Sequence, residues 1–136
     1  MRIQVALIIL YDSGERFLLQ HRTHDAALLP NHWAFFGGRL ETGETPRQAL
    51  AREAFEELHY TVQSPELVLT HAFCEDDLCG ELYVFTEYFG GDKNTLRLQE
   101  GQDWGWFSAE ETSTLKMTGR DREIVAKLAQ IIAQRV

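Results

Sequence analysis

Residues 37–60 read GGRLETGETPRQALAREAFEELHY, and this stretch decides the fold. Its middle carries the punctuation of a helix start. Thr45 stands where an N-cap belongs, Pro46 takes the first helical position, and Gln48 completes a capping box with Thr45. The helix is predicted to run to about Leu58. On a wheel of about 100° per residue, Leu50, Ala51, Ala54, Phe55 and Leu58 are read as one side, and Glu53, Glu56 and Glu57 as the opposite side. Glu53 is three residues from Glu56 and four from Glu57, so the three carboxylates are expected to converge.

Such convergence is locally unfavourable. Like-charge pairs at these spacings cost about 0.2–0.5 kcal/mol each. Glu56 and Glu57 also lie near the helix C-terminus, where the macrodipole disfavours anions. Local rules broken together tend to mark a functional site. A divalent cation would reverse both penalties, and an all-carboxylate set selects Mg²⁺ or Mn²⁺ over zinc. The plainer alternative is an amphipathic helix with a solvated acidic face. The pair Gly37-Gly38 tilts the balance, because backbone without Cβ lets another group approach closely and its carbonyl can serve as a further oxygen ligand. Arg52 reads either as the i,i+4 partner of Glu56 or as a guanidinium that orients a carboxylate.

Working outward, residues 3–11 are almost continuously apolar and predict a strand buried on both faces. Asp12-Ser13-Gly14-Glu15 is a turn, and residues 16–22 form the returning strand. Residues 23–32 are a loop. Residues 33–36 are a short aromatic strand ending at Gly37-Gly38. Beyond the helix, residues 66–74 and 81–89 are strands joined by an acidic turn at Asp76-Asp77. Residues 90–95 turn the chain again. Residues 104–107 form a short strand, with Trp104 and Trp106 expected on opposite faces. Ser108 and Glu111 make a second capping box, and a last helix spans about 120–134 with Ile124, Leu128, Ile131 and Ile132 on one face. Strands, a mid-chain helix, more strands and a terminal helix suggest a mixed sheet between helices, in one domain over residues 1–136.

Composition narrows the function. The 136 residues carry 13 Lys+Arg against 21 Asp+Glu, a formal net charge of −8. That balance argues against polymeric nucleic acid and against an anionic membrane surface as partners. An acidic protein that handles phosphates needs a metal ion between the charges. No stretch approaches the ~20 apolar residues of a membrane span. The apolar run 5–10 is short for a signal segment and no small-residue cleavage site follows, so the chain is expected to be cytoplasmic. Cys74 and Cys79 are then read as two reduced thiols flanking a hairpin turn, with a disulfide as the alternative. His21, His24, His32 and His71 show no metal-ligand spacing.

Gly38, Glu44, Arg52-Glu53, Glu56-Glu57 and Tyr60 fit the Nudix box: Gly, five residues, Glu, seven residues, then Arg-Glu-apolar-x-Glu-Glu-x-Gly-apolar. The chain therefore resembles the Nudix hydrolases of the MutT-like kind. Two departures stand out. His59 replaces the box glycine, plausible as a left-handed helix cap because His tolerates that conformation. Phe36 replaces the proline common before the paired glycines. The resemblance implies an α+β (mixed α/β) fold, an α-β-α sandwich around a central mixed sheet. It implies Mg²⁺- or Mn²⁺-dependent attack of water on a pyrophosphate in a nucleoside diphosphate linked to another group. By the resemblance, Glu56, Glu57 and the Gly38 carbonyl are metal ligands, and Glu53 is a ligand or the general base. Arg52 orients Glu53, Glu44 supports the site, and Glu100 is a second candidate base.

The short chain fits the branch that cleaves (deoxy)nucleoside triphosphates to monophosphate and pyrophosphate. Phe73 and Tyr83 are candidate base-stacking residues, although aromatics at strand spacing also read as core. Asp121, near the start of the last helix, stands close to where that branch uses Asn to read a purine. Nucleotide sugars and ADP-ribose stay open as substrates. A Nudix fold that binds a nucleotide without cleaving it is the alternative of another class. The expected partner is a small-molecule nucleotide, and the aromatic edge at Tyr88-Phe89 could support a homodimer.

Overall fold

A computed structural model describes residues 2–27, 29–75, 77–99 and 101–134. Strand β1 (Arg2–Tyr11) is the spine of a seven-stranded mixed sheet. It runs parallel to β6 (Leu78–Tyr88) along its whole length, from Arg2 opposite Cys79 to Tyr11 opposite Tyr88. Its other edge is shared. β2 (Phe17–His21) meets it at Tyr11, and β4 (Phe36–Arg39) covers Val5 to Ile8 in antiparallel register. β2 also pairs with β3 (Trp33–Ala34) and with β7 (Asp103–Phe107), and β5 (Glu66–Glu75) closes the far edge against β6.

Both faces of the sheet are apolar, as the unbroken run in β1 requires. Ala6, Ile8 and Leu10 face helix α1 (Pro46–Leu58), packing with Ala49, Leu50, Ala54 and Leu58. Ile9 faces the other way, with Phe17, Leu19 and Val84, onto Ile124, Val125, Leu128 and Ile132 of helix α2 (Gly119–Ala133). The molecule is thus the expected α-β-α sandwich. The caps are as read. Thr45 accepts from the Gln48 backbone N–H while the Gln48 side chain accepts from that of Thr45, and Ser108 and Glu111 exchange the same pair of bonds ahead of a 3-10 turn at Glu111–Thr114.

Several expectations need correction. The aromatic strand breaks in two. Ala34 pairs with β2 and Phe36 with β1, and the Phe35 carbonyl at the crossover accepts from the buried Gln20 carboxamide at 3.0 Å. Gly37 and Gly38 lie within β4 and do not end it. Gly37 has φ +142°, and a Cβ there would stand 2.1 Å from the Ala6 carbonyl oxygen. Helix α1 turns a different side inward than expected. Glu57 is 2% exposed, among Ala49, Leu50 and Ala54, whereas Phe55 is 53% exposed and stacks on His59. Trp104 and Trp106, two apart on one strand, share the α1 face. Phe89 is in the core, so only Tyr88 is left at that exposed edge. Cys74 and Cys79 are not two thiols but a disulfide. They are directly opposed across the β5–β6 hairpin with Cα atoms 4.0 Å apart, and that proximity brings the sulfurs together.

Candidate active site

Arg52 organises the outer half of the site. Its Nε and Nη2 donate to the two oxygens of Glu44 at 2.8 and 2.9 Å, its Nη1 to Glu53 Oε1 at 2.8 Å, and Nη2 also to the Arg39 carbonyl at 3.1 Å. The fork thus ties the 40–45 loop to the helix and fixes the Glu53 carboxylate. Of the two readings of Arg52, the structure favours the orienting one, because Glu56 is a longer partner at 3.5 Å and is 58% exposed. Hydrogen bonds from Arg52 and from the Glu41 backbone N–H hold the Glu44 carboxyl at about 2, well below its ordinary 4.5. The same bonds to Glu44 and Glu53 keep the Arg52 guanidinium more firmly protonated than usual.

The inner half is built on the glycine strand. The Glu53 carboxylate lies over Gly38, where an added Cβ would stand 2.5 Å from its Oε1. Glu57 reaches the same strand and accepts from the Gly37 N–H at 3.3 Å. The three glutamates therefore do not converge as expected, and no cluster of three metal-ligating side chains forms among the described residues. Glu53 is held by Arg52, Glu57 turns to β4, and Glu56 stays at the surface. The donors still fit a hard cation. They are all oxygens, two of the carboxylates border one cavity, and the strand beside them has no side chain to obstruct it.

That cavity has a volume of about 420 Å³. Gly37, Gly38, Glu53 and Glu57 form one side of it, and Val5, Leu7, Phe35, Phe73 and Leu82 make it apolar. Arg22, Arg39, Arg120 and Asp121 supply its charge. Two of the three expected substrate residues are here. Phe73 stands beneath the Arg120 guanidinium, 5.7 Å from its ring centre, and Asp121 is 2% exposed with Arg120 Nε 3.3 Å from its Oδ1. The third is not. Leu82 and Val84 face the α2 side, so Tyr83 points to the α1 side, where its hydroxyl accepts from Gln4 at 2.8 Å and donates to Glu81 at 3.1 Å. Glu100 lies outside the described residues. Its neighbour Gln99 donates its backbone N–H to the Glu57 carbonyl at 2.8 Å.

The three cavity arginines were missed from the sequence. Three cations gathered at one cavity of a chain with net charge −8 are a signal that total composition hides. Arg39, directly after the paired glycines, was the one within reach of a sequence argument.

The model of the NUDIX domain family matches residues 1–128, and the chain belongs to that family. It is a MutT-like Nudix hydrolase. Among curated proteins it is 25% identical over 132 residues to the nucleoside triphosphatase NudI of Enterobacter sp. (strain 638), covering 90% of this chain and 94% of that one. It is 26% identical over 132 residues to the 8-oxo-dGTP diphosphatase of Escherichia coli K12, covering 96% and 98%. Among solved structures, a MutT protein from Methanosarcina mazei Go1 superposes with a TM-score of 0.82 at 20% identity, covering 96% and 95% of the two chains. That last likeness speaks for the fold.

Proposed function

We propose that the chain hydrolyses a (deoxy)nucleoside triphosphate to the nucleoside monophosphate and pyrophosphate, with Mg²⁺ as the preferred ion and Mn²⁺ as a substitute. One observation carries this reading: Glu53 and Glu57 border the same cavity as Phe73 and Asp121, so hard-cation donors and an apolar slot of nucleotide size share a wall. The two whole-length relatives, named for nucleoside triphosphates and 8-oxo-dGTP, support the choice of substrate class.

In this reading Glu53, Glu57 and the Gly38 carbonyl would hold the cation from the cavity wall, and Glu56, now at the surface, would have to turn inward to join them. The cation supplies charge neutralisation on the phosphates and a site for the attacking oxygen. Arg52 fixes the direction of the Glu53 carboxylate, and Glu44 fixes Arg52. Glu53 or Glu100 takes the proton from the attacking water. Arg22 and Arg39 offset phosphate charge at the rim. Phe73 flanks the base, and Asp121 accepts hydrogen bonds from its edge.

A hydrolysis panel with products weighed by mass spectrometry, run with Mg²⁺ and with chelator, tests the reading. It includes 8-oxo-dGTP, the common triphosphates, ADP-ribose, nucleotide sugars and dinucleoside polyphosphates. The expected result is monophosphate plus pyrophosphate from a triphosphate, abolished by chelator. Cleavage confined to sugar-linked diphosphates overturns the triphosphate assignment. Tight binding without product in every case overturns hydrolysis itself.

A further inference from the structure

Among the described residues the end of the β5–β6 hairpin reaches past β1, while Phe73 still pairs with Gly80 opposite Ile3. The described part of β1 starts at Arg2, opposite Cys79, and beyond that point Glu75 pairs only with Leu78. A two-stranded tip without a third strand is marginally stable in water. The Cys74–Cys79 disulfide sits at this boundary, with Cys74 exposed and Cys79 half-buried. The residues just before the two half-cystines, Phe73 and Leu78, both line the cavity that Glu53 and Glu57 border. Side chains alternate along a strand, so the sulfurs lie on the face away from the cavity and act only through these neighbours. Phe73 in turn carries the Arg120 guanidinium of α2.

We propose that the Cys74–Cys79 pair is a thiol–disulfide switch on nucleotide affinity, which rests on the function proposed above. With the S–S bond in place the tip is clamped, and Phe73 and Leu78 hold one wall of the cavity. Once the bond is reduced the tip opens, the wall loosens and affinity falls. The reductant is a dithiol. Its thiolate attacks an exposed sulfur to form a mixed disulfide, its second thiol displaces the protein, and it leaves as its own disulfide. Two electrons and two protons end on Cys74 and Cys79 as thiols. The cross-link removes freedom only from the short loop it closes, so its loss leaves the apolar cores on both sheet faces intact.

The test compares the full chain oxidised and after dithiothreitol, with thiols counted by alkylation and intact mass. Hydrogen exchange of the tip and the kinetics of triphosphate cleavage are read in both states. Reduction is expected to speed exchange at Leu78, beyond the end of β1, more than at Phe73, and to raise KM about fivefold, with kcat within about twofold. The C74S/C79S double variant should show the reduced values in both conditions. Equal KM in the two states overturns the switch, as do two alkylatable thiols that persist after treatment with oxidised glutathione. A chain that cleaves no triphosphate in either state defeats the functional reading instead, and the clamp then stands or falls on the exchange data.

Discussion

Arg52 shows how one side chain can carry a site without touching its cavity. Its donors go to Glu44, Glu53 and the Arg39 carbonyl, so loop, helix and glycine strand are joined at one guanidinium. The pairing has a consequence for pH. Glu44 titrates near 4.5 as a free carboxyl but at about 2 in the fold. Between those values the unfolded chain binds the proton and the native one does not, so the pair's stabilisation is complete above 4.5 and is lost as pH falls through 2. Denaturant titrations across this window should show wild type losing stability with a steeper slope than E44Q. Equal slopes would mean that Glu44 is not held by Arg52 in solution. The box residues were legible because their spacing is local. The division of labour among the glutamates was not, because it depends on where β4 passes. Glu57 is buried and accepts from the Gly37 N–H, a contact twenty residues away in sequence.

At the scale of elements, the sequence punctuates α1 well and phases it badly. Thr45, Pro46 and Gln48 start the helix through bonds within one turn, and these are as read. His59 ends it with φ 54° and ψ 35°, the left-handed cap that the family fills with glycine. A non-glycine residue there costs about 1 kcal/mol. The stack of His59 on the exposed Phe55, with ring centres 5.2 Å apart, returns part of that. H59G should therefore raise stability by about 0.5 kcal/mol, read as a higher denaturant midpoint at unchanged m-value. A fall would show that the aromatic stack outweighs the backbone strain. Phase failed for a different reason. At about 100° per residue the wheel sets Glu57 only about 20° from Leu50, so its charge, and not its angle, put it with the exposed glutamates. The cysteine pair misled similarly, since redox expectation was set by compartment while register alone decided which residues face each other.

Across the whole molecule, charge is distributed against its own sum. A chain of net charge −8 places three arginines around one cavity and keeps two glutamates on its wall. If that wall holds a cation, binding is selective for the folded state and must raise its stability. Mg²⁺ at ten times its Kd adds about 1.4 kcal/mol, or roughly 4 °C in Tm for a domain of this size. The rise should saturate with Mg²⁺ concentration, since screening of a diffuse acidic surface would climb without a plateau and would follow ionic strength. E57Q should lose most of the increment, because the buried carboxylate is the one least able to be replaced by water. E56Q should lose less, since the Glu56 side chain is 58% exposed and does not border the cavity. Tyr83→Phe, on the far face of the sheet, should keep the full shift. A rise of equal size in all four proteins, reproduced by NaCl at matched ionic strength, would leave the glutamates as a solvated acidic face and remove the metal from the proposed chemistry.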